Sequence, residues 1–280
     1  MTSRLTGNRL VALPFSDLCP PLSTGDAEAD AALAAALLAE PEAAGLDLEV
    51  RGVLADAPDG SRGARFLHHV LDLTPGADAV LAAAHSQNRR GAKKAAKAGV
   101  TVRRATDRAA IDAFYALHTA TRRRQGVPVQ PKSFIRRLET LFAEGLGHVA
   151  LAEHEGAVAS AAVFVGYGPT LTYKYGASDN AHLAVRPNNA IFAETIGWAC
   201  EEGFAALDFG RTDLDNPGLA AFKRNWGAQE HEVRYVRLPP RGDEQDEEPG
   251  AARRLASTVI RRSPPFVGRA VGAALYRHFG

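Results

Sequence analysis

Cysteine is scarce in this sequence, and several motifs that would assign a function directly are missing. Cys19 and Cys200 are its two cysteines, and their distance apart along the chain excludes a cysteine-based zinc motif and a disulfide framework. The pair suits a reducing, cytoplasmic compartment. The nine histidines form no HxxxH or His-Cys pattern, so we expect no metal site.

Long apolar runs are missing as well. No stretch approaches the roughly 20 apolar residues that a membrane span requires. The first ten residues (MTSRLTGNRL) contain no apolar core of signal-peptide length. With 46% hydrophobic and 23% charged residues in a chain of 280, the composition predicts a globular protein of one large or two smaller domains.

The tripeptide Asp-Phe-Gly at 208–210 occurs in protein kinases, but the rest of the kinase pattern is missing. No GxGxxG loop and no HRD motif precede it, and kinases need both for phosphoryl transfer. The sequence also has no nucleophile elbow for Ser-His-Asp catalysis. These absences argue against kinase and serine-hydrolase chemistry.

What the sequence does contain is a mixed succession of strands and helices in two units. In the first unit we predict strands at 9–15, 46–54 and 64–73, and helices at 27–40 and 77–98. In the second unit we predict strands at 100–106, 148–168 (two strands with a Glu-Gly turn), 171–178, 205–210 and 230–238, and helices at 109–123, 133–145, 187–202 and 217–225. This order predicts an α/β protein with a mixed sheet.

The chain divides into four predicted segments, namely 1–98, 99–238, 239–250 and 251–280. The third segment (PPRGDEQDEEPG) is a charged linker that we expect to be disordered. The fourth carries six arginines among apolar residues. A basic amphipathic helix of this kind either lies on an anionic bilayer or packs back on the body.

A cationic helix face is the strongest local signal. Five basic side chains fall within an arc of about 140° at 100° per residue, and glycine and alanine occupy the other side. They are Arg89, Arg90, Lys93, Lys94 and Lys97. Because no carboxylate lies four residues away to pair with them, this face is either a solvated surface or a site for phosphates of tRNA or of a nucleotide-linked acceptor.

A second group of candidates lies in DFGRTDLDNPGLAAFKRNWG (208–227). Asp208 and Arg211 flank the end of a predicted strand, where α/β sheets place ligands, and a structural ion pair is the alternative. Lys223, close to Trp226, suits donation to an oxyanion or a phosphate, or else it is an ordinary surface lysine.

Two tyrosines form the last candidate pair. Tyr173 and Tyr175 are two residues apart in a predicted strand, and the strand period places them on one face. On that face they either line a groove or belong to the core with a polar tip.

These segments, taken in order, resemble the Fem-type (FemA/FemB/FemX-like) aminoacyltransferases and their GNAT-fold relatives. The matching stretches include LPFSDLCPPL (13–22), NRRGAKKAAKAGVTVR (88–103), YKYGASD (173–179), RPNNAIFAETIGWACEEGF (186–204) and GLAAFKRNWGA (218–228). The resemblance covers most of the chain and implies two GNAT-like lobes with a cleft between them. The family has a further stretch before residue 13, so the first lobe is expected to be N-terminally incomplete. Either the true start is upstream or a partner, such as a second copy, covers the open strand edge.

The resemblance also implies a reaction. Fem-type enzymes transfer an aminoacyl group from tRNA to an amine of a peptidoglycan precursor, nucleotide- or lipid-linked, without a cofactor. A family lysine in the FK-x-x-W/F context maps to Lys223 as the residue that stabilises the oxyanion. Asp208 is the candidate general base. The substrate-binding candidates are Arg89, Arg90, Lys93, Tyr173, Tyr175, Arg211 and Trp226.

Two other functions stay open. GNAT domains that use acetyl-CoA normally hold its pyrophosphate on a glycine-rich loop at a helix N-terminus, but YGASDNAHLAVRPNNAIF (175–192) has no paired glycines before the helix. This departure argues against CoA. The alternatives are an acyl-CoA-dependent N-acyltransferase of cell-envelope polysaccharide biosynthesis and a non-catalytic, anion-binding lobe.

Overall fold

A computed structural model describes residues 8–22, 25–54, 57–59, 61–239 and 251–276. Apart from Pro239, the predicted charged linker of 239–250 lies outside the described residues. The strands are β1 (Arg9–Val11), β2 (Asp47–Val50), β3 (Arg62–Asp72), β4 (Thr101–Ala105), β5 (Gly147–His154), β6 (Ala157–Tyr167), β7 (Thr170–Ser178), β8 (Ala206–Asp213) and β9 (Gln229–Leu238).

Ten α-helices lie within the described residues, together with a short 3-10 helix at Asn180–Val185. They are α1 (Ala27–Ala44), α2 (Ala77–Ala83), α3 (Ser86–Lys97), α4 (Arg108–Gln125), α5 (Lys132–Arg136), α6 (Leu138–Ala143), α7 (Pro187–Glu201), α8 (Pro217–Arg224), α9 (Ala251–Arg262) and α10 (Pro265–Leu275).

The described strands form one sheet in the order β1-β2-β9-β3-β8-β7-β6-β5-β4. β1 pairs with β2 and β7 with β8 in parallel, and the other pairs are antiparallel. The predicted mixed α/β class is therefore confirmed. β3, which belongs to the predicted first unit, lies between β8 and β9 of the second. The division of the chain at residue 98 stays a prediction.

Helices cover the sheet on both faces because strands such as β5 carry apolar residues on both faces. Val149 and Leu151 pack with α4, α5 and α6, whereas Ala150 and Ala152 between them pack with α2, α3 and α7. A smaller cluster joins α1 to β2 and β9. Such two-sided burial is expected for a strand whose side chains point alternately to opposite faces.

Three predicted helices differ from the structure. The helix of 77–98 is interrupted at His85, whose Nδ1 accepts the Gln87 N–H at 3.3 Å and so begins α3. The helix of 133–145 is divided into α5 and α6. The helix predicted to end before Pro41 continues to Ala44, although an internal proline removes one N–H donor and normally disturbs a helix. The chain then turns at Gly45, with φ of 62°.

The C-terminal helices α9 and α10 lie against α4, which corresponds to the alternative in which the tail packs back on the body. α9 packs beside Gly126, the left-handed residue that ends α4, through Ser257 and Arg261. α10 approaches the Val129 carbonyl at Gly272. Membrane contact through the tail stays a prediction. Among the described residues, no helix has both the length and the apolarity to cross a membrane.

The docking of α10 can be tested with two glycines of the same helix. A Cβ on Gly272 would overlap the Val129 carbonyl oxygen, whereas a Cβ on Gly268 would meet nothing nearer than Ile260 at 4.0 Å. We expect Gly272→Ala to lower the free energy of unfolding by about 1–3 kcal/mol. Gly268→Ala should be neutral or stabilise by up to about 1 kcal/mol through helix propensity. Urea unfolding measures both, and equal effects would contradict this packing.

Candidate functional site

The two parallel strands at the centre of the sheet are paired along only part of their length. The register joins Thr170 to Ala206, Leu171 to Leu207 and Thr172 to Asp208, and no pair follows. Beyond this point β8 contains a bulge against β3, with Gly210 at φ of 68°. The two backbones are therefore unpaired on the C-terminal side of Thr172 and Asp208, and this gap in the pairing is called the opening below.

Lys223 lies at this opening and is fully buried, with 1% of its surface exposed. Its Nζ donates to the carbonyl oxygens of Gly210 at 2.9 Å and Arg211 at 3.0 Å. Successive carbonyls of a regular strand point in opposite directions, and the left-handed conformation of Gly210 brings these two together. An ammonium has three N–H donors, so one donor has no hydrogen-bond partner among the described residues.

The surroundings of Lys223 set its charge. Burial lowers the pKa of this amine to about 8, although the carboxylates of Asp17, Asp208 and Asp213 oppose the shift. Helix α8 positions the amine. Its N-cap residue is Asn216, whose side chain accepts the Leu219 N–H at 3.1 Å. Lys223 is thus a buried cation held at a fixed point beside the opening.

Asp208 is paired with His68 and not with Arg211. The Asp208 Oδ1 atom lies 2.8 Å from His68 Nε2. The same oxygen accepts the Gly210 N–H at 2.7 Å. Burial alone would raise the pKa of Asp208, but the His68 imidazole, the Gly210 amide and Lys223 outweigh burial and lower it. The carboxylate is therefore held in its charged form.

The Arg211 side chain is held by aromatic rings of β3 and β9. Its Nη1 donates to the Tyr235 hydroxyl at 3.0 Å, and its guanidinium carbon lies 4.1 Å from the centre of the Phe66 ring. The Tyr235 hydroxyl in turn donates to the Asp17 carbonyl at 2.7 Å. The alternative of an Asp208–Arg211 pair is wrong, since the two side chains have separate partners.

Asp17 is a site residue that the sequence did not single out. It belongs to the segment 12–19, in which Leu13 and Phe15 have φ of 35° and 67°. Lys174 Nζ donates to the Phe15 carbonyl at 2.8 Å. A Cβ on Gly210 would lie 2.5 Å from the Asp17 carboxylate, which would have to move. The positive φ of Gly210 itself favours glycine at this position.

Tyr173 and Tyr175 lie on opposite faces of the sheet, so the prediction of a shared face is wrong. Tyr173 pairs with Phe164 and Tyr175 with Val163, which leaves Lys174 as the extra residue of a bulge. One extra residue inverts the alternation of side chains. Burial raises the pKa of both phenols to about 12.

Trp226 is likewise a core residue in this structure. It is buried, with its ring centre 6.0 Å from that of Phe192 and 6.5 Å from that of Phe222. These contacts attach the end of α8 to α7 and so support the position of Lys223.

The predicted cationic face of α3 is exposed. Arg90, Lys93, Lys94 and Lys97 form no ion pair within the described part of the chain, and Arg89 donates to the Ala82 carbonyl. On the other side of the helix, Gly91 lies against Asn189 of α7. The His85 N–H donates to the Asn225 carbonyl at 2.7 Å, so the start of this basic helix is attached to the end of the helix that carries Lys223.

A second cationic region lies on the opposite face of the sheet. A cavity of about 740 Å³, open to solvent on one side, lies between α4, α5 and the two C-terminal helices. Its five basic residues are Arg123, Arg124, Lys132, Arg261 and Arg269. Among the described residues that line it, the one carboxylate is Asp112, which already pairs with Arg136 and Lys132, and these hold the pKa of Asp112 down at about 2. The described lining therefore has a net positive charge.

A buried arginine nitrogen lies at this cavity. The Nε atom of Arg123, which lines the cavity, has no hydrogen-bond partner among the described residues. A buried, unpartnered donor is unfavourable unless a ligand or a water molecule meets it. The basic run 122–124 is visible in the sequence, but the contribution of Arg261 and Arg269 depends on the docking of the tail.

The fold and the sequence together place the chain in a family. The acetyltransferase (GNAT) domain family matches residues 82–224, just over half of the chain. The chain therefore belongs to the GNAT family, and the match includes α3, the sheet opening and Lys223.

Relatives within this family are Fem-type transferases, as the resemblance indicated. The chain is 27% identical over 161 residues to a UDP-N-acetylmuramoylpentapeptide-lysine N(6)-alanyltransferase of Weissella viridescens, a match that covers 56% of the chain and 48% of the relative. It is 40% identical over 81 residues to a lipid II:glycine glycyltransferase of Staphylococcus epidermidis, covering 27% and 20%. The crystal structure of FemX has the same fold, with a TM-score of 0.57 at 19% identity over 75% of the chain and 78% of FemX. The chain thus matches about half, or less, of the length of these curated relatives.

The lowered pKa of Lys223 predicts how stability depends on pH. Below about pH 8 the amine is charged in both the folded and the unfolded protein, and its desolvation opposes folding in full. Between about pH 8 and its ordinary pKa of 10.5 the folded protein binds fewer protons, so the free energy of unfolding rises with pH. Between pH 7 and pH 10 we expect the free energy of unfolding of wild type to rise by about 2–3 kcal/mol relative to that of Lys223→Met. Urea unfolding at both pH values checks this, and pH-independent differences would contradict it.

Proposed function

We propose that this protein transfers an aminoacyl group from aminoacyl-tRNA to an amine of a peptidoglycan precursor. The observation that carries the proposal is the buried Lys223 ammonium, which has two N–H groups fixed on β8 and a third beside the opening between β7 and β8. The names of the two curated relatives, an alanyltransferase and a glycyltransferase, support the same reaction class. A homodimer and a cytoplasmic location stay predictions.

The reaction is a substitution at an ester. The acceptor amine forms a C–N bond to the carbonyl carbon, and a tetrahedral oxyanion results. The ester C–O bond then breaks, and the amine proton finally resides on the released ribose hydroxyl of the tRNA. The free N–H of Lys223 stabilises the oxyanion, which is the type of contact that contributes most in acyl transfer. Asp208, kept ionised by His68, is the group proposed to accept the amine proton.

The importance of Lys223 is testable with an isosteric, uncharged side chain. Lys223→Met should reduce transfer from a radiolabelled aminoacyl-tRNA pool by about 100- to 1,000-fold, while tRNA binding stays within twofold of wild type. Transfer to a nucleotide-linked muramyl-pentapeptide is measured by precipitation of the remaining aminoacyl-tRNA. Unchanged transfer by the variant would reject an oxyanion role. No transfer by wild type to a nucleotide-linked or to a lipid-linked acceptor would favour the anion-binding lobe.

The donor is proposed to bind the cationic face of α3. Its exposed side chains present positive charge without neutralising carboxylates among the described residues, and the helix begins next to α8 through the His85–Asn225 hydrogen bond. Phosphates bound by such side chains release counterions, so affinity should fall steeply with salt.

The donor proposal predicts a change in that salt dependence. The triple variant Arg90→Ala, Lys93→Ala, Lys94→Ala should bind the tRNA pool at least tenfold more weakly and reduce the slope of log affinity against log salt by about 2–3. Arg65→Ala, which removes an exposed arginine bridged to Glu232, is the control and should have no effect. Filter binding is repeated with excess acetyl-CoA. Displacement by CoA would instead support the acyl-CoA enzyme.

The acceptor is proposed to place its diphosphate in the cationic cavity beside α4. Nucleotide-linked and lipid-linked precursors share this group, and the described lining of the cavity has five basic residues and one carboxylate that is already paired. Arginine forms paired hydrogen bonds with phosphate oxygens. The donor and acceptor sites then lie on opposite faces of the sheet.

A further inference from the structure

A large apolar groove lies next to the cationic cavity, and we propose that it binds the hydrocarbon chain of a lipid-linked acceptor. This inference rests on the proposed function and selects one of its two acceptor classes. The groove has a volume of about 1,280 Å³, above the roughly 300–1,000 Å³ typical of sites for small ligands. An extended occupant is therefore expected.

The groove exists because α4 covers only part of its sheet face. Ile111 and Phe114 of α4 pack with residues such as Val149 and Leu151, but the far ends of β6 and β7 lie beyond the helix. There the floor is formed by Val165, Thr170 and Thr172, and the walls by Leu18, Leu22 and residues of α5 and α6.

Apolar side chains at its rim are exposed to water. Leu22 is 86% and Tyr167 82% exposed, and Leu18 and Leu141 are exposed to a smaller extent. All four line the same groove. A contiguous exposed apolar surface of this kind marks a site of interaction.

Charge complementarity indicates what kind of apolar partner fits. The short helix α5 separates the two sites, since Lys132 lines the cationic cavity whereas Phe134 and Ile135 line the groove. Arg137 and Lys174 add positive charge to the groove itself. An anionic head attached to a long hydrocarbon chain would occupy both sites, while a nucleotide-linked diphosphate would leave the groove empty. The arrangement therefore favours the lipid-linked acceptor.

The experiment compares two probes that share a head group. Farnesyl diphosphate and inorganic diphosphate are titrated into the full chain by calorimetry. We expect farnesyl diphosphate to bind at least tenfold more tightly than inorganic diphosphate. The double variant Leu22→Asp, Tyr167→Asp should abolish this difference without weakening the binding of inorganic diphosphate. Val53→Asp is the matched control, because Val53 is 80% exposed and does not line the groove.

The outcomes separate this inference from the proposed function. Equal affinities for the two probes would overturn the groove assignment, as would equal effects of the control and groove variants. A dimer that Leu22→Asp dissociates, without farnesyl diphosphate binding, would overturn it in favour of a second copy. Aminoacyl transfer to a soluble nucleotide-linked acceptor tests the proposed function independently. Groove variants should leave that transfer unchanged and reduce transfer to a lipid-linked acceptor about tenfold.

Discussion

The pair of hydrogen bonds from Lys223 to the Gly210 and Arg211 carbonyls is the interaction on which the site depends. A buried ammonium is unfavourable unless its donors are satisfied and opposite charge is near. The two carbonyls satisfy two donors, and nearby carboxylates oppose the loss of the proton. In return, the amine supplies partners to carbonyls at the place where β8 no longer pairs with β7. The buried ammonium and the two carbonyls therefore stabilise each other.

Glycine at position 210 links this interaction to a distant part of the chain. Its positive φ turns the two carbonyls toward Lys223, and its missing side chain leaves space for the Asp17 carboxylate. The segment around Asp17 is attached in turn through Tyr235, Lys174 and Arg51, whose Nη1 donates to the Ser16 carbonyl at 2.6 Å. A substitution at Gly210 would therefore disturb the lysine contacts and the docking of residues 12–19 together.

Sequence patterns were sufficient for the features that depend on local order. The two strands of 148–168 with their Glu-Gly turn, the cationic arc of α3 and the position of Lys223 on a short helix after a strand all follow from local residue patterns. The bulge at Lys174 was not predictable, because one extra residue leaves the apolar pattern intact while it sends Tyr173 and Tyr175 to opposite faces. Asp17, Arg261 and Arg269 reach their sites through contacts between segments far apart in the chain, and no local pattern contains that information.

The two cationic surfaces lie on opposite faces of the sheet, and the opening between β7 and β8 lies between them. α3 lies with α7 on one face of the sheet, and the cavity lies with α4 on the other. A continuous sheet would separate them, since paired strands leave no passage for a reacting group. β7 and β8 lose their pairing where Lys223 is held, and Phe222 and Trp226 on one face and the segment of Phe15 on the other border this place. In the proposed reaction, two large anionic substrates thus approach from opposite faces without repelling each other along one surface, and only their reacting ends meet beside the lysine.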